Sequence, residues 1–222
     1  MSEPSTLSLD EPAASELDEA GMLDAMATSG FPVQGASNHE ERRVLLHNIP
    51  WSTYELIRDA IESPAVHMTY LEGALEIMTT SRAHELNKKQ IARFLELFCL
   101  ERDIPLYGYG QMTFKKQELN RGFEPDECYC RGTDRLIPDI ALEVVISRPL
   151  LDKLEVYRAF EVREVWVFEA GAFKIFALRD GRYELLPTSA LFPEVDLAAI
   201  ARFAVRPDQH AALREFRDEL RR

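Results

Sequence analysis

Residues 124–130 read Glu-Pro-Asp-Glu-Cys-Tyr-Cys, and residues 138–145 read Pro-Asp-Ile-Ala-Leu-Glu-Val-Val. Both are short runs of β-forming residues opened by a proline, and both read as strands. Each carries carboxylates among apolar neighbours. An ionised carboxylate desolvated without a partner costs several kcal/mol, so Glu143, between Leu142 and Val144, needs a cation or hydrogen-bond donors beside it. Metal binding is one such compensation.

If the two strands pair antiparallel about a connection centred on residues 133–135, Asp126 faces Glu143. Directly opposed residues lie about 5 Å apart, a separation at which two carboxylates share a hard divalent cation such as magnesium. Asp139 lies on the same face as Glu143, but four residues along a strand is about 13 Å, too far for a single ion. Lys153 opens a helix expected over residues 151–160. From there it can orient an attacking water or stabilise charge developing on phosphorus; the competing reading is a solvated helix residue. Glu85, at the head of the chain's longest helix, is a fourth candidate, set against the simpler role of a favourable charge at a helix N-terminus.

That long helix spans residues 84–102. Ile91, Phe94, Leu95 and Phe98 form one apolar stripe, Lys88, Lys89 and Arg93 point elsewhere, and Pro105 stops it. Upstream, a helix follows Trp51 with Ser52 as its cap, and Tyr54, Ile57 and Ile61 recur at helical spacing. Strands over 67–71 and 74–78 flank Glu72-Gly73, a hairpin signal. Downstream, strands are expected over 106–115, 126–130, 139–146, 164–168, 173–178 and 183–186, the last two joined at Asp180-Gly181. An amphipathic helix then runs from 209 to 222 through Leu213, Phe216 and Leu220. Strands and helices mixed in this way imply an α/β domain over residues 39–190 and a helical extension over 191–222.

The chain has 222 residues with 46% hydrophobic and 29% charged, ordinary for a globular protein. Its net charge of −12 would oppose a polyanionic partner were it evenly spread. It is not: residues 1–41 hold nine of the 38 acids and none of the 26 Lys and Arg, so the remainder carries 29 acids against 26 bases, a net −3. Residues 1–38, rich in Ser, Pro, Ala and acids, read as a disordered acidic tail with at most a marginal helix at 17–27. No run reaches the roughly 18 apolar residues of a membrane span, and the first ten residues lack the basic start of a secretory signal, so a cytoplasmic protein is expected.

Cys99, Cys128 and Cys130 make neither a disulfide framework nor a four-ligand zinc site; Cys128 and Cys130, two apart on a strand, read as small buried hydrophobes. His39, His47, His67 and His210 have no ligand spacing and read as surface or packing residues, and His84 beside Glu85 is only somewhat more suggestive. The absence of a Gly-rich phosphate loop and of a G-x-S-x-G elbow removes P-loop enzymes and ordinary serine hydrolases.

Several of these stretches together carry a resemblance. Tyr70-Leu71-Glu72-Gly73 through Glu76-Ile77-Met78, His84-Glu85, Glu124-Pro125-Asp126-Glu127, Pro138-Asp139 to Glu143-Val144, Leu151-Asp152-Lys153-Leu154 and Glu164-Val165-Trp166 follow in the order of the Uma-two family of bacterial restriction-endonuclease-like proteins. The similarity spans residues 39–186. It implies the PD-(D/E)xK nuclease fold, a mixed β-sheet flanked by helices, with a site joining a helix Glu, a strand Asp and a Glu on the next strand. The matching positions are Glu85, Asp126 and Glu143. Where the superfamily carries a lysine two residues after the strand Glu, this chain has Val145, and Lys153 on the following helix is the substitute. Ser147-Arg148-Pro149 is a second departure, standing where family members more often carry a run of small hydroxyl residues.

The resemblance implies a Mg2+ (or Mn2+) dependent endonuclease acting on DNA, with Asp126 and Glu143 as metal ligands, Lys153 assisting the water and Glu85 supporting the site. Superfamily nucleases are often dimers, which leaves a homodimer open. The competing class is a non-catalytic interaction protein that keeps the fold, a reading favoured by Val145.

Overall fold

The computed structural model describes residues 40–61, 63–132, 135–149 and 151–222. The expected acidic tail, its marginal helix and the centre of the connection at 133–134 lie outside the described residues. Eleven strands and five α-helices are present among the described residues.

Five strands build the first sheet, in the order β1-β3-β2-β6-β5: β1 (Arg42–Leu46), β2 (Val66–Leu71), β3 (Ala74–Thr79), β5 (Phe114–Lys116) and β6 (Arg121–Phe123). The β2–β3 hairpin turns at Glu72-Gly73, both at positive φ (49° and 91°), the backbone a two-residue turn between twisted strands requires. Helix α1 (Trp51–Ala60) covers this sheet with Tyr54, which stacks on Tyr70 at 4.7 Å between centroids. Its cap is Pro50, without a side-chain hydrogen bond; Ser52, the expected cap, lies inside the first turn. Proline's fixed φ suits a helix start, so the helix begins earlier than the Ser52 hydroxyl suggested.

The second sheet has the order β11-β10-β9-β8-β7-β4. Its strands are β4 (Leu106–Gly108), β7 (Glu127–Arg131), β8 (Ile140–Val145), β9 (Glu164–Glu169), β10 (Ala172–Arg179) and β11 (Arg182–Leu186). The pairs β7–β8, β9–β10, β10–β11 and β4–β7 are antiparallel, while β8 and β9 run parallel. Parallel neighbours need a crossover, which α3 (Lys153–Ala159) supplies. Its cap is Asp152, whose carboxylate accepts from the Glu155 amide at 3.3 Å. This crossover sets Lys153 and Tyr157 over the strand that carries Glu143.

One expectation fails at residues 106–115. A single strand was expected there, yet Leu106–Gly108 pairs with β7 in one sheet and Phe114–Lys116 with β6 in the other. Gly110, at φ 64°, breaks the extended run and redirects the chain between sheets. Cys128 and Cys130 are fully buried on β7, as small hydrophobes should be.

Helix α2 (Arg82–Glu101) forms the spine of the main core. Ser81 caps it by accepting from the His84 amide at 3.1 Å, and Ile91, Phe94, Leu95 and Phe98 pack with Leu142, Val144 and Trp166 of the second sheet. The same core takes in α4 (Leu197–Ala204) and α5 (Gln209–Leu220): Phe94 meets Phe203 and Phe216 at 6.0 and 5.1 Å between centroids. Residues 191–222 are thus continuous with the core of the domain.

Candidate functional site

Strands β7 and β8 pair as Glu127↔Leu142, Cys128↔Ala141 and Tyr129↔Ile140, the register that places Asp126 opposite Glu143. Asp126 lies one residue before β7 and is fully buried; its Oδ2 accepts from the Val144 amide at 2.7 Å, fixing the carboxylate against β8. Glu143 is 4% exposed. Lys153 Nζ donates to its Oε2 at 2.6 Å, and the Tyr157 hydroxyl donates to its Oε1. Lys153 and Tyr157 are one helical turn apart on α3, so one helix face holds both oxygens of one carboxylate.

Asp126 Oδ1 points the other way, toward two histidines. His84 Nε2 lies 3.0 Å from it and His67 Nδ1 3.3 Å. The His84 contact is an ion pair at hydrogen-bonding distance, whereas both ring nitrogens of His67 are buried without hydrogen-bond partners. His84 Nδ1 faces Glu41 Oε2 at 3.0 Å. Glu41 Oε1 in turn accepts from the Ser147 amide at 3.1 Å, from the Ser147 hydroxyl, and from Arg43 at 2.8 and 3.2 Å. Arg43 also donates to Glu76 Oε1 at 2.6 Å.

The charges follow from this packing. Burial pushes the Asp126 carboxyl up, but His84, Lys153 and His67 outweigh it and hold it at about 2. Burial likewise pushes the His84 imidazole down, and Asp126 and Glu41 outweigh that, leaving it at about 9 and protonated at neutral pH. His67 goes the other way: burial, opposed by Asp126 and reinforced by Lys153 and His84, pushes it down to about 4. Glu41 is held at about 2 because its contacts to His84, Ser147 and Arg43 exceed the burial penalty. Burial raises Glu143, opposed by Lys153; Lys153 is itself raised, since Glu143 and Asp126 exceed the burial that would lower it. At 2.6 Å the pair is an ion pair with the proton on lysine.

Among the described residues the cluster interleaves the carboxylates Glu41, Glu76, Asp126 and Glu143 with the cations Arg43, His84 and Lys153, with His67 neutral. Asp126 and Glu143, opposed across the β7–β8 pair, are the carboxylates that would hold a divalent ion. No group of three or more His, Cys, Asp or Glu among the described residues is arranged to hold an ion by itself. Magnesium does not require one, since it is commonly held by one or two carboxylates with water and substrate phosphate supplying the rest. Asp126 and Glu143 offer the hard oxygen ligands such an ion takes.

Of the residues singled out from sequence, Asp126, Glu143 and Lys153 come together. Glu85 does not join them. A helix turns about 100° per residue, so with His84 aimed at Asp126 the next side chain points away, and Glu85 pairs with Lys88 at 2.8 Å. Arg148 is exposed. Glu41, Arg43, His67, Glu76, Ser147 and Tyr157 escaped sequence reasoning. For Tyr157 a signal existed, its spacing of four from Lys153; for Glu41 and Arg43 there was none.

Residues 51–206 match the family model Uma2, described as "Putative restriction endonuclease". The match takes in every cluster residue except Glu41 and Arg43. No curated protein matches the chain. No helix among the described residues is long and apolar enough to cross a membrane.

Proposed function

Since the chain belongs to the Uma2 family of restriction-endonuclease-like proteins, whose model covers 156 of its 222 residues, we propose that it hydrolyses DNA phosphodiester bonds with the help of Mg2+ or Mn2+ at Asp126 and Glu143. The observation that carries this reading is the convergence of Asp126, Glu143 and Lys153 from two strands and a helix, with Lys153 Nζ 2.6 Å from Glu143. When bound, the ion would supply Lewis-acid polarisation of a phosphoryl oxygen and a water of lowered pKa.

The chain's own residues do the rest. The Val144 amide and Tyr157 hydroxyl fix the two carboxylates, so no side-chain freedom is lost as the reaction proceeds. Lys153 carries a positive charge held in a dry setting, where it stabilises negative charge growing on phosphorus far more than an exposed lysine would. Its position on α3 lets it replace the lysine that Val145 does not provide.

A second reading, a non-catalytic interaction module, is favoured by one observation: Glu143 already has both oxygens satisfied and the cluster is almost wholly buried. Calorimetric titration with manganese, paired with cleavage assays on single-stranded, duplex and branched DNA, separates the two. The nuclease reading expects manganese binding that Asp126→Ala and Glu143→Ala each abolish in a folded protein, together with metal-dependent cleavage. Equal manganese binding by the double variant, or no cleavage by the parent, leaves the module reading standing.

A further inference from the structure

We infer that Glu41 fills a phosphate-binding cradle, its carboxylate standing where an oxyanion of the substrate backbone binds. The cradle consists of the Ser147 amide and hydroxyl, the Arg43 guanidinium and His84 Nδ1. The identity of the ligand rests on the nuclease reading; the existence of an anion site does not.

The donor arrangement points beyond a carboxylate. A carboxylate oxygen offers two lone pairs, yet Glu41 Oε1 receives the Ser147 amide, the Ser147 hydroxyl and two Arg43 nitrogens, while Oε2 receives only His84 Nδ1. Four N–H or O–H groups crowd one oxygen of a planar, two-oxygen group. A tetrahedral phosphate, with more oxygens pointing in different directions, distributes the same donors one or two to an oxygen. A backbone amide, a hydroxyl and a forked guanidinium are also the usual partners of phosphate.

Burial makes this a built site. The Glu41 side chain is 1% exposed, that of Arg43 6% and that of His84 0%. Arg43 also holds Glu76 and His84 also faces Asp126, so these donors have charged partners that keep them in place apart from Glu41. Its location suits the chemistry. His84 touches Glu41 with one ring nitrogen and approaches Asp126 with the other, so the cradle is one imidazole away from the proposed metal carboxylates.

Glu41 is also well placed to leave. It precedes the first ladder pair of β1, Arg42↔Thr79, and among the described residues β1 is the edge strand of its sheet, paired with β3 alone. Its withdrawal disturbs the end of one ladder. Glu41 and Arg43 lie ahead of residues 51–206, outside the span matched by the family model.

The test is titration of the full chain with inorganic phosphate, without metal or DNA. Glu41→Ala empties the cradle and should bind phosphate at least about tenfold more tightly than the parent, with a matching phosphate-dependent rise in melting temperature. Adding Ser147→Ala, which removes the hydroxyl donor and leaves the others, should give back part of that gain. If Glu41→Ala does not fold, Glu41→Ser vacates the cradle with a short polar side chain, and the same comparison applies. Phosphate binding by the folded variant no tighter than by the parent overturns the cradle, as does a gain that Ser147→Ala leaves wholly unchanged. Because no cleavage is read, a phosphate gain in a protein that cuts no DNA would uphold the cradle and remove the nuclease reading, and cleavage by the parent without a phosphate gain would do the reverse.

Discussion

Lys153 Nζ lies 2.6 Å from Glu143 Oε2, across the ten residues that lead from strand β8 into helix α3. Val145, two positions after Glu143 on the same strand face, offers no cation, and the first residue of the next helix reaches back with a four-carbon stem to provide one.

Lys153→Met tests that substitution twice over. If the lysine stabilises the transition state, cleavage should fall by about two orders of magnitude or more while manganese affinity changes little. The variant also leaves Glu143 buried without its cation, a loss of about 3–5 kcal/mol where one partner of a buried pair is removed. Its melting temperature should therefore drop, while manganese, bound with nearly unchanged affinity, should stabilise variant and parent by similar amounts. Assays at a temperature where both proteins are folded separate the two effects, and a variant that cleaves as fast as the parent would refute the catalytic role.

Stability should pass through a maximum near pH 6.5. His84, raised from the usual 6.5 to about 9, contributes stability that is fully present below 6.5 and is lost as pH rises through 9. His67, lowered to about 4, contributes stability that is present above 6.5 and is lost as pH falls toward 4, because the unfolded chain takes up a proton that the buried ring does not. Glu41, lowered from 4.5 to about 2, steepens the acid limb below 4.5. Melting temperatures across pH 4–9 check the shape: His84→Gln should flatten the alkaline limb and His67→Asn the acid limb. Parallel curves for parent and variants would contradict both assignments.

The strand pairing was legible because it is local. Two apolar runs joined by a short connection fix their own register, and Glu127↔Leu142 follows once Asp126 and Glu143 are set opposite each other. The long helix was legible from its stripe. What surrounds the two acids was not. Arg43 meets Ser147 across 104 residues, and Gln90 donates to the Ala204 carbonyl across 114; no periodicity encodes such meetings. His67 and His84 look ordinary in sequence because a single histidine has no pattern, and their roles come from the carboxylate between them. Strands of three residues, such as β4 and β6, are too short to show alternation.

The C-terminal helices make a prediction about folding. Phe216 is 1% exposed and packs on Phe94 and Phe203. Phe216→Ala should cost about 3–5 kcal/mol by denaturant titration, the range for a large buried aromatic. Removing residues 207–222 should prevent cooperative unfolding, since it uncovers the apolar face of α2. A truncated protein as stable as the parent would mark these residues as a dispensable appendage.

Tyr157 and Glu143 offer the sharpest test of how the site is held. The tyrosine is fully buried and its hydroxyl donates to Glu143 Oε1, the oxygen Lys153 does not reach. Tyr157→Phe keeps the ring in its core of Val156, Phe160 and Phe123 and removes only the donor, leaving a buried carboxylate oxygen unsatisfied at a cost of about 1–3 kcal/mol. In a Glu143→Gln background the same change should cost less, because a neutral amide oxygen needs the donor less than a carboxylate does. A double-mutant cycle by urea unfolding should thus give a coupling above about 0.5 kcal/mol, the level expected of residues in direct contact. Strict additivity would mean that the hydroxyl does not hold Glu143 in solution, and the rigidity assigned to the carboxylate pair would lose its support.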